Sequence, residues 1–281
     1  DGLFEVIARA ATSELPVLLV GETGAGKDLV AKLLHERSHR AAKRFLAVNC
    51  ACLNEQLADS TLFGHRKGSF TGAVDDHAGV IESAAAGTAL LDEIAETPLA
   101  VQAKLLGAVE EGLVWPVGAS TPRPVDARLI FATNADLPAR VKNGRFRADL
   151  FYRINQIEIR VPPLRARQEE IAPLFRAFVD EARRRAMKPP AQIAPEVVAL
   201  LGQHDWPGNV RELRAAAERA ALFSETDVVR AADVCLRPER TAGGPTFSAA
   251  ITQRLQAAAN RPNQGEADGD ERERILRALA E

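Results

Sequence analysis

The sequence predicts an α/β fold: a five-stranded parallel sheet flanked by helices, followed by a small α-helical domain. Three observations predict it. Over the first two thirds, short apolar runs alternate with helical patterns, as in strand–helix–strand units. One of those runs passes through a Gly-rich turn straight into a helix. From Gln168 to about Arg237 only helical periodicity remains.

Pro16-Val-Leu-Leu-Val20 is a continuous apolar run and reads as a buried strand. A helix from about Lys27 to His35 follows the glycines. Phe45–Val48, Ala89–Leu91 and Leu129–Ala132 supply three more strands. Pro98 suits a helix start, and Val101, Leu105, Leu106 and Val109 then share one face. Ile157, Ile159 and Val161 alternate, as in a half-buried strand. Val161-Pro-Pro-Leu164 closes this part, so residues 1–164 form the α/β portion. Within 165–237, one helix carries Ile171, Leu174, Phe175 and Phe178. A second starts at Pro195 with Val197, Val198, Leu200 and Leu201, and a third follows Gly208 with Val210, Leu213 and Ala217. Residues 238–269, rich in Gly, Pro, Thr, Ala and Asn, read as a linker with room for a short helix at Ile251–Ala259. Residues 270–281 restart a helical pattern at Ile275, Leu276 and Leu279.

A chain of 281 residues is long enough for about two domains and a self-sufficient core. Hydrophobic residues at 46% and charged residues at 26% exclude disordered, collagen-like and coiled-coil classes for its bulk. A net charge of -2 excludes a strongly basic nucleic-acid coat, though not a local basic patch. Cys50, Cys52 and Cys235 make neither a paired framework nor a zinc spacing, which fits a reducing compartment. No apolar run approaches the roughly 18 residues of a membrane span, and no signal peptide opens the chain. A cytoplasmic protein without membrane contact is expected. The start at Asp1 and an end inside a helical pattern suggest a piece of something longer.

Gly21, Glu22, Thr23, Gly24, Ala25, Gly26, Lys27 and Asp28 follow a strand and open a helix, the context a P-loop requires. Glycines there let backbone N–H groups face phosphates, and Lys27 would reach the β- and γ-phosphates of ATP. Asp28 replaces the usual Ser or Thr; the bland alternative is a Gly-rich turn with a surface Lys. Ala89-Leu-Leu-Asp92-Glu93 is an apolar strand ending in two acids. Asp92 would hold Mg2+, directly or through water, and Glu93 would polarise the attacking water. Lys27 and Asp92 are expected at the ends of adjacent strands. Thr133 and Asn134 end another strand, where the alternative is a satisfied turn. Arg147 and Arg153 are either solvated, paired with local acids, or functional. Arg211, in the first turn of a helix, either points back to the nucleotide or caps its surroundings. In Gly68-Ser69-Phe70-Thr71-Gly72-Ala73 a Phe stands between glycines with no apolar period. It is either a core side chain or the apolar tip of a binding loop.

Together these stretches resemble the central ATPase domain of the sigma-54-dependent transcriptional activators, the bacterial enhancer-binding proteins, which are AAA+ P-loop ATPases. The resemblance runs from about Leu3 to Arg237. Its most specific parts are Gly68–Ala73, close to the family's GAFTGA signature, Leu62-Phe-Gly-His65 before it, and Trp206-Pro-Gly-Asn-Val-Arg-Glu-Leu213. The resemblance implies that Gly21–Asp28 is Walker A. It implies that Ala84, Ala85, Ala86, Gly87, Thr88, Ala89, Leu90 and Leu91 belong, with Asp92 and Glu93, to the nucleotide-binding segment ending in Walker B. Asn49 matches a switch residue restraining Glu93, and Thr133 and Asn134 match sensor I. Arg147 and Arg153 match fingers reaching a neighbour's γ-phosphate, and Arg211 matches sensor II. Phe70 and Thr71 match the loop tip that touches sigma-54.

The implied protein hydrolyses ATP with Mg2+ as a hexameric ring and remodels closed complexes of sigma-54 RNA polymerase. Glu271–Ala280 resembles the first helix of the family's Fis-type domain, whose DNA-binding helix-turn-helix, the contact to enhancer DNA, is missing from this chain. Four positions depart from the pattern: Ser69 for Ala, Arg66 for Glu, Trp115-Pro-Val-Gly118 without its usual Arg, and Ala166 for an acid. The alternatives are an ATP-switched regulator or a AAA+ remodeller acting on a partner other than sigma-54.

Overall fold

The computed structural model describes residues 2–53, 55–224, 226–234 and 236. Residues 1–234 form one compact unit that holds both the sheet and the helical part. The expected linker, the segment 270–281 and Cys235 lie outside the described residues.

Five strands build the central sheet: β1 (Val17–Val20), β2 (Phe45–Asn49), β3 (Thr88–Asp92), β4 (Arg128–Thr133) and β5 (Ile157–Arg160). They are all parallel, in the order β2-β3-β4-β1-β5. Period-2 alternation sorts their side chains between two cores. Val17 and Leu19 of β1, Leu90 of β3, and Ile130 and Ala132 of β4 join one core. Leu18, Ala89, Leu91, Leu129 and Phe131 join the other. Helices α1 (Gly2–Ala11) and α2 (Lys27–Glu36) cover the first core through Ile7, Val30, Ala31 and Leu34. The second is covered by α3 (Glu55–Phe63), α4 (Val80–Ser83), α5 (Leu99–Glu110), α6 (Leu137–Lys142) and α7 (Ala148–Ile154). They contribute Leu62, Ile81, Leu105, Leu137 and Leu150 respectively. A sheet buried on both faces explains why its strands read as unbroken apolar runs.

The expectation that β1 and β3 are adjacent is wrong: β4 lies between them. Since parallel strands share a direction, the residues that follow β1, β2, β3 and β4 nevertheless emerge on one edge, the usual ligand edge of such a sheet.

Arg128, only 1% exposed, ties α1 to the sheet. Its guanidinium donates to the carbonyls of Ala10 (2.6 Å) and Ala11 (2.9 Å), the open C-terminal end of α1. Burial pushes its pKa down.

After Leu164 come α8 (Gln168–Arg185), α9 (Pro195–Gly202) and α10 (Asn209–Phe223). Ile171, Phe175 and Val179 of α8 and Leu213, Ala217 and Ala220 of α10 are buried where the two helices pack. Trp206 is fully buried and donates from Nε1 to the Leu201 carbonyl at 3.0 Å. This part is not purely helical: Gln192–Ile193 and Val228–Val229 form a short parallel pair. Two antiparallel hairpins also depart from the expected loops: Gly64–His65 with His77–Ala78, and Leu113–Val114 with Arg123–Pro124. The first pair turns the segment around Phe70 into a necked loop.

Candidate functional site

The loop between β1 and α2 turns on two glycines with positive φ, Gly24 (76°) and Gly26 (101°), a conformation costly to other residues. A Cβ on Gly26 would meet nothing within 4 Å, so its backbone faces open space. Lys27 opens α2 buried to 6% exposure. Its Nζ donates to the carbonyls of Gly21 (2.9 Å) and Glu22 (3.4 Å), and lies 3.8 Å from Glu93 Oε1. Asp28 is exposed in the first turn of α2.

Glu93 leaves β3 at φ 52°, a left-handed geometry few such residues adopt. Its other oxygen, Oε2, accepts the Asn134 backbone N–H at 3.2 Å. Asn134 also donates from Nδ2 to Thr23 Oγ1 at 2.7 Å. Thr133 is fully buried; its Oγ1 accepts from Ala135 N, and its carbonyl accepts from Gly21 N. The phosphate loop, the acid after β3 and the polar end of β4 are thus joined by hydrogen bonds across one edge.

Asn49 differs from expectation. Its Nδ2 lies 3.5 Å from Asp92 Oδ2, and its Oδ1 accepts from Ala51 N at 2.9 Å. It contacts Asp92 here, while Glu93 is held by Lys27 and Asn134. Cys50, buried beside it, has its thiol pKa pushed up to about 12 by burial and by Asp92 and Glu93, which leaves it inert as a nucleophile.

The stretch 84–91 is corrected as a nucleotide-binding segment. Ala84–Gly87 lie before the N-terminal end of β3, and Thr88 N donates to Arg44 O there. A Cβ on Gly87 would come 2.1 Å from that same carbonyl. Buried Thr88 pairs with His35 Nδ1 at 2.9 Å. At about 3.3 Å per residue, Thr88 sits some 13 Å from Asp92 along the strand, and Ala89, Leu90 and Leu91 are core. Of residues 84–93, Asp92 and Glu93 alone reach the ligand edge.

Arg211 is exposed in the first turn of α10, and a Cβ on Gly24 would lie 3.1 Å from its Cβ. Arg147, at the start of α7, holds its own Asp149 with Nε (3.0 Å) and Nη2 (2.7 Å). Arg153 Nε is buried with no hydrogen-bond partner among the described residues. Neither arginine hydrogen-bonds the phosphate loop within this chain.

Three groups that the sequence pattern did not assign do touch that loop. Glu22 receives both Nη atoms of Arg165 (2.8 and 2.5 Å) and Nδ2 of Asn209 (3.1 Å). These hydrogen bonds, Arg165 first, hold its carboxyl at about 2. Arg167 Nη2 donates to Ala25 O at 3.0 Å. The signal for Arg165 and Asn209 was their place in the Pro-Pro-Leu-Arg and Trp-Pro-Gly-Asn runs; Arg167 follows the first run by two residues.

Phe70 is 41% exposed and belongs to neither core. Its ring rests edge-on against His65, with centroids 5.0 Å apart. Gly68 (φ 79°) and Gly72 (φ 105°) shape the tip, which is closed by Gly68 N to Ala73 O at 2.8 Å. Thr71 is exposed. Arg66 pairs with Asp76 across the neck, and Lys67 N donates to Asp76 Oδ1. Ser69 sits against Gly118, where a Cβ would approach its own Cβ to 2.6 Å.

A phosphate chain suits this site: a buried ammonium bonded only to loop carbonyls and facing one acid, beside an open glycine backbone. Asp92 offers a half-buried carboxylate of the kind that Mg2+ takes when phosphates complete its shell.

Comparison with known proteins agrees. The "Sigma-54 interaction domain" family matches residues 1–160, and the "AAA+ ATPase lid domain" matches residues 165–246. The chain is 44% identical over 234 residues to the response regulator protein FleR of Pseudomonas aeruginosa, covering 83% of this chain and 50% of FleR. It is 46% identical over 218 residues to the anaerobic nitric oxide reductase transcription regulator NorR of Aliivibrio fischeri, covering 78% of this chain and 43% of NorR. Crystalline NtrX from Brucella abortus in complex with ATP superposes with a TM-score of 0.77 at 32% identity, over 91% of this chain and 56% of NtrX. The chain spans about half the length of the curated relatives it matches. By these matches and this fold, the chain belongs to the sigma-54 interaction domain family of AAA+ proteins.

Proposed function

We propose that this chain is the ATP-hydrolysing module of a sigma-54-dependent transcriptional activator. The carrying observation is the hydrogen-bonded edge on which Lys27, Glu93, Asn134 and Thr23 meet. Lys27 exchanges its carbonyl partners for phosphate oxygens. Glu93 orients the attacking water and draws on its proton, held at one oxygen by the Asn134 amide. Asn134, bonded to Thr23, keeps that acid in register with the loop. Asp92 would hold Mg2+, which neutralises phosphate charge when bound. ATP-bound NtrX supports the choice of nucleotide.

Arg147 and Arg153 are read as fingers for a neighbouring subunit in a ring, a hexamer on the family pattern. Arg147 must release Asp149 to serve there. The necked loop presents Phe70 and Thr71 to sigma-54 in its polymerase. Enhancer DNA is contacted by a domain beyond this chain, and the working compartment is the cytoplasm. Among the described residues no helix is long and apolar enough to cross a membrane.

Glu93→Ala should still bind ATP yet turn over at least about a hundredfold more slowly, the scale of a positioned acid–base group. Turnover within twofold of wild type contradicts the assignment. Mixing inactive Arg153→Ala with inactive Lys27→Ala should restore some turnover, because a mixed interface can hold one intact site. Absence of rescue, with a monomer in the presence of nucleotide, contradicts the ring.

A further inference from the structure

Resting on the proposed nucleotide site, we propose that Glu22, Arg165 and Asn209 form a charge-neutralising latch that sets the affinity of the phosphate loop for nucleotide. Arg165 acts through Glu22 and does not itself touch the phosphates.

Glu22 puts a carboxylate inside the loop that must receive a polyanion, an unfavourable placement unless it is neutralised locally. The neutralising groups come from outside the loop. Arg165 grips both carboxylate oxygens in a two-pronged pair, the geometry in which a guanidinium is most selective. Asn209 adds a third donor and is fully buried. The same Asn209 amide donates to Thr23 O at 3.2 Å, while its Oδ1 accepts Leu164 N at 2.8 Å. One side chain, carried on the first turn of α10, therefore binds both the phosphate loop and the connector after β5. Asn209 adopts φ 51°, a left-handed conformation that Asn tolerates better than most residues. Around it, Val210 N donates to Gly24 O at 2.9 Å, and a Cβ on Gly24 would come 2.5 Å from Gly208 O. The loop thus leans on the helical part at several points, and Glu22 bonds to that part with its charged side chain. Asp205 adds a further negative charge that favours the Arg165 cation.

A rival reading is that Arg165 is a phosphate ligand parked on Glu22. Charge removal at each end separates the two. The assay is equilibrium binding of a fluorescent ATP analogue with Mg2+ to the full chain, with a melt of each nucleotide-free variant. The Arg165–Glu22 pair is nearly half exposed, so its loss should leave every melt within a few degrees of wild type. Arg165→Gln should weaken binding by about five- to twentyfold, because an uncompensated carboxylate now faces the phosphates. Most of that loss should vanish at about 0.5 M salt, where the screening length is only a few ångströms. Arg165→Lys should stay within about threefold of wild type, and adding Glu22→Gln to Arg165→Gln should recover wild-type affinity to within about twofold. A double variant as weak as Arg165→Gln alone overturns the proposal in favour of a direct phosphate contact. Arg165→Gln binding indistinguishable from wild type overturns it outright. A wild-type chain that binds no nucleotide contradicts the proposed ATPase function, a different outcome from either.

Discussion

Arg128 shows how a single side chain can carry structure that local pattern hides. It opens β4 with an ordinary charged residue, yet it is buried and caps the carbonyl end of α1. Replacing it by Met removes a desolvated charge, which helps, and strips partners from buried carbonyls, which costs more. Ala10 O keeps the Ser13 N–H, so the main loss falls at Ala11 O. The expected net destabilisation is about 1–3 kcal/mol, read by urea unfolding. An unchanged midpoint contradicts the capping role. Glu93 was legible as an acid after a strand, but its left-handed backbone and its bonds to Lys27 and Asn134 were not. Those follow from which strands neighbour which, and no local pattern encodes that.

At the scale of elements, the five strands and the main helices were legible because burial imposes a period that apolar residues record. Strand starts were not. Thr88 and Arg128 open β3 and β4 with polar side chains that an apolar run cannot reveal. Two-residue strand pairs are too short to show any period, so the neck of the Phe70 loop and the pair at Gln192–Ile193 were missed. The strand order was also hidden: β4 separates β1 from β3. The side chains proposed for catalysis still converge, because every parallel strand ends on the same edge. The resemblance draws 84–91 into the site, whereas Ala89, Leu90 and Leu91 are buried in the cores. A strand delivers only its last residues to an edge, and the rest support it.

Across the whole molecule, the phosphate loop is the meeting point. It is bonded to the end of β4 through Thr23, to the connector through Glu22 and Ala25, and to α10 through Gly24. A change at the phosphates is therefore felt in both halves of the described unit. The loop around Phe70 sits on a separate hairpin whose aromatic tip rests on His65 with little burial. Such a tip can engage a partner without disturbing either core, and an exposed aromatic is an efficient anchor. The most direct measurement is capture of sigma-54 by the chain with ADP and a γ-phosphate transition-state mimic, comparing wild type with Phe70→Ala. Wild type should retain sigma-54 with the mimic and not with ADP alone. Phe70→Ala should retain none while keeping its melting temperature and basal ATP turnover. Equal capture by both proteins, or a melting temperature that collapses on truncation, would contradict the account.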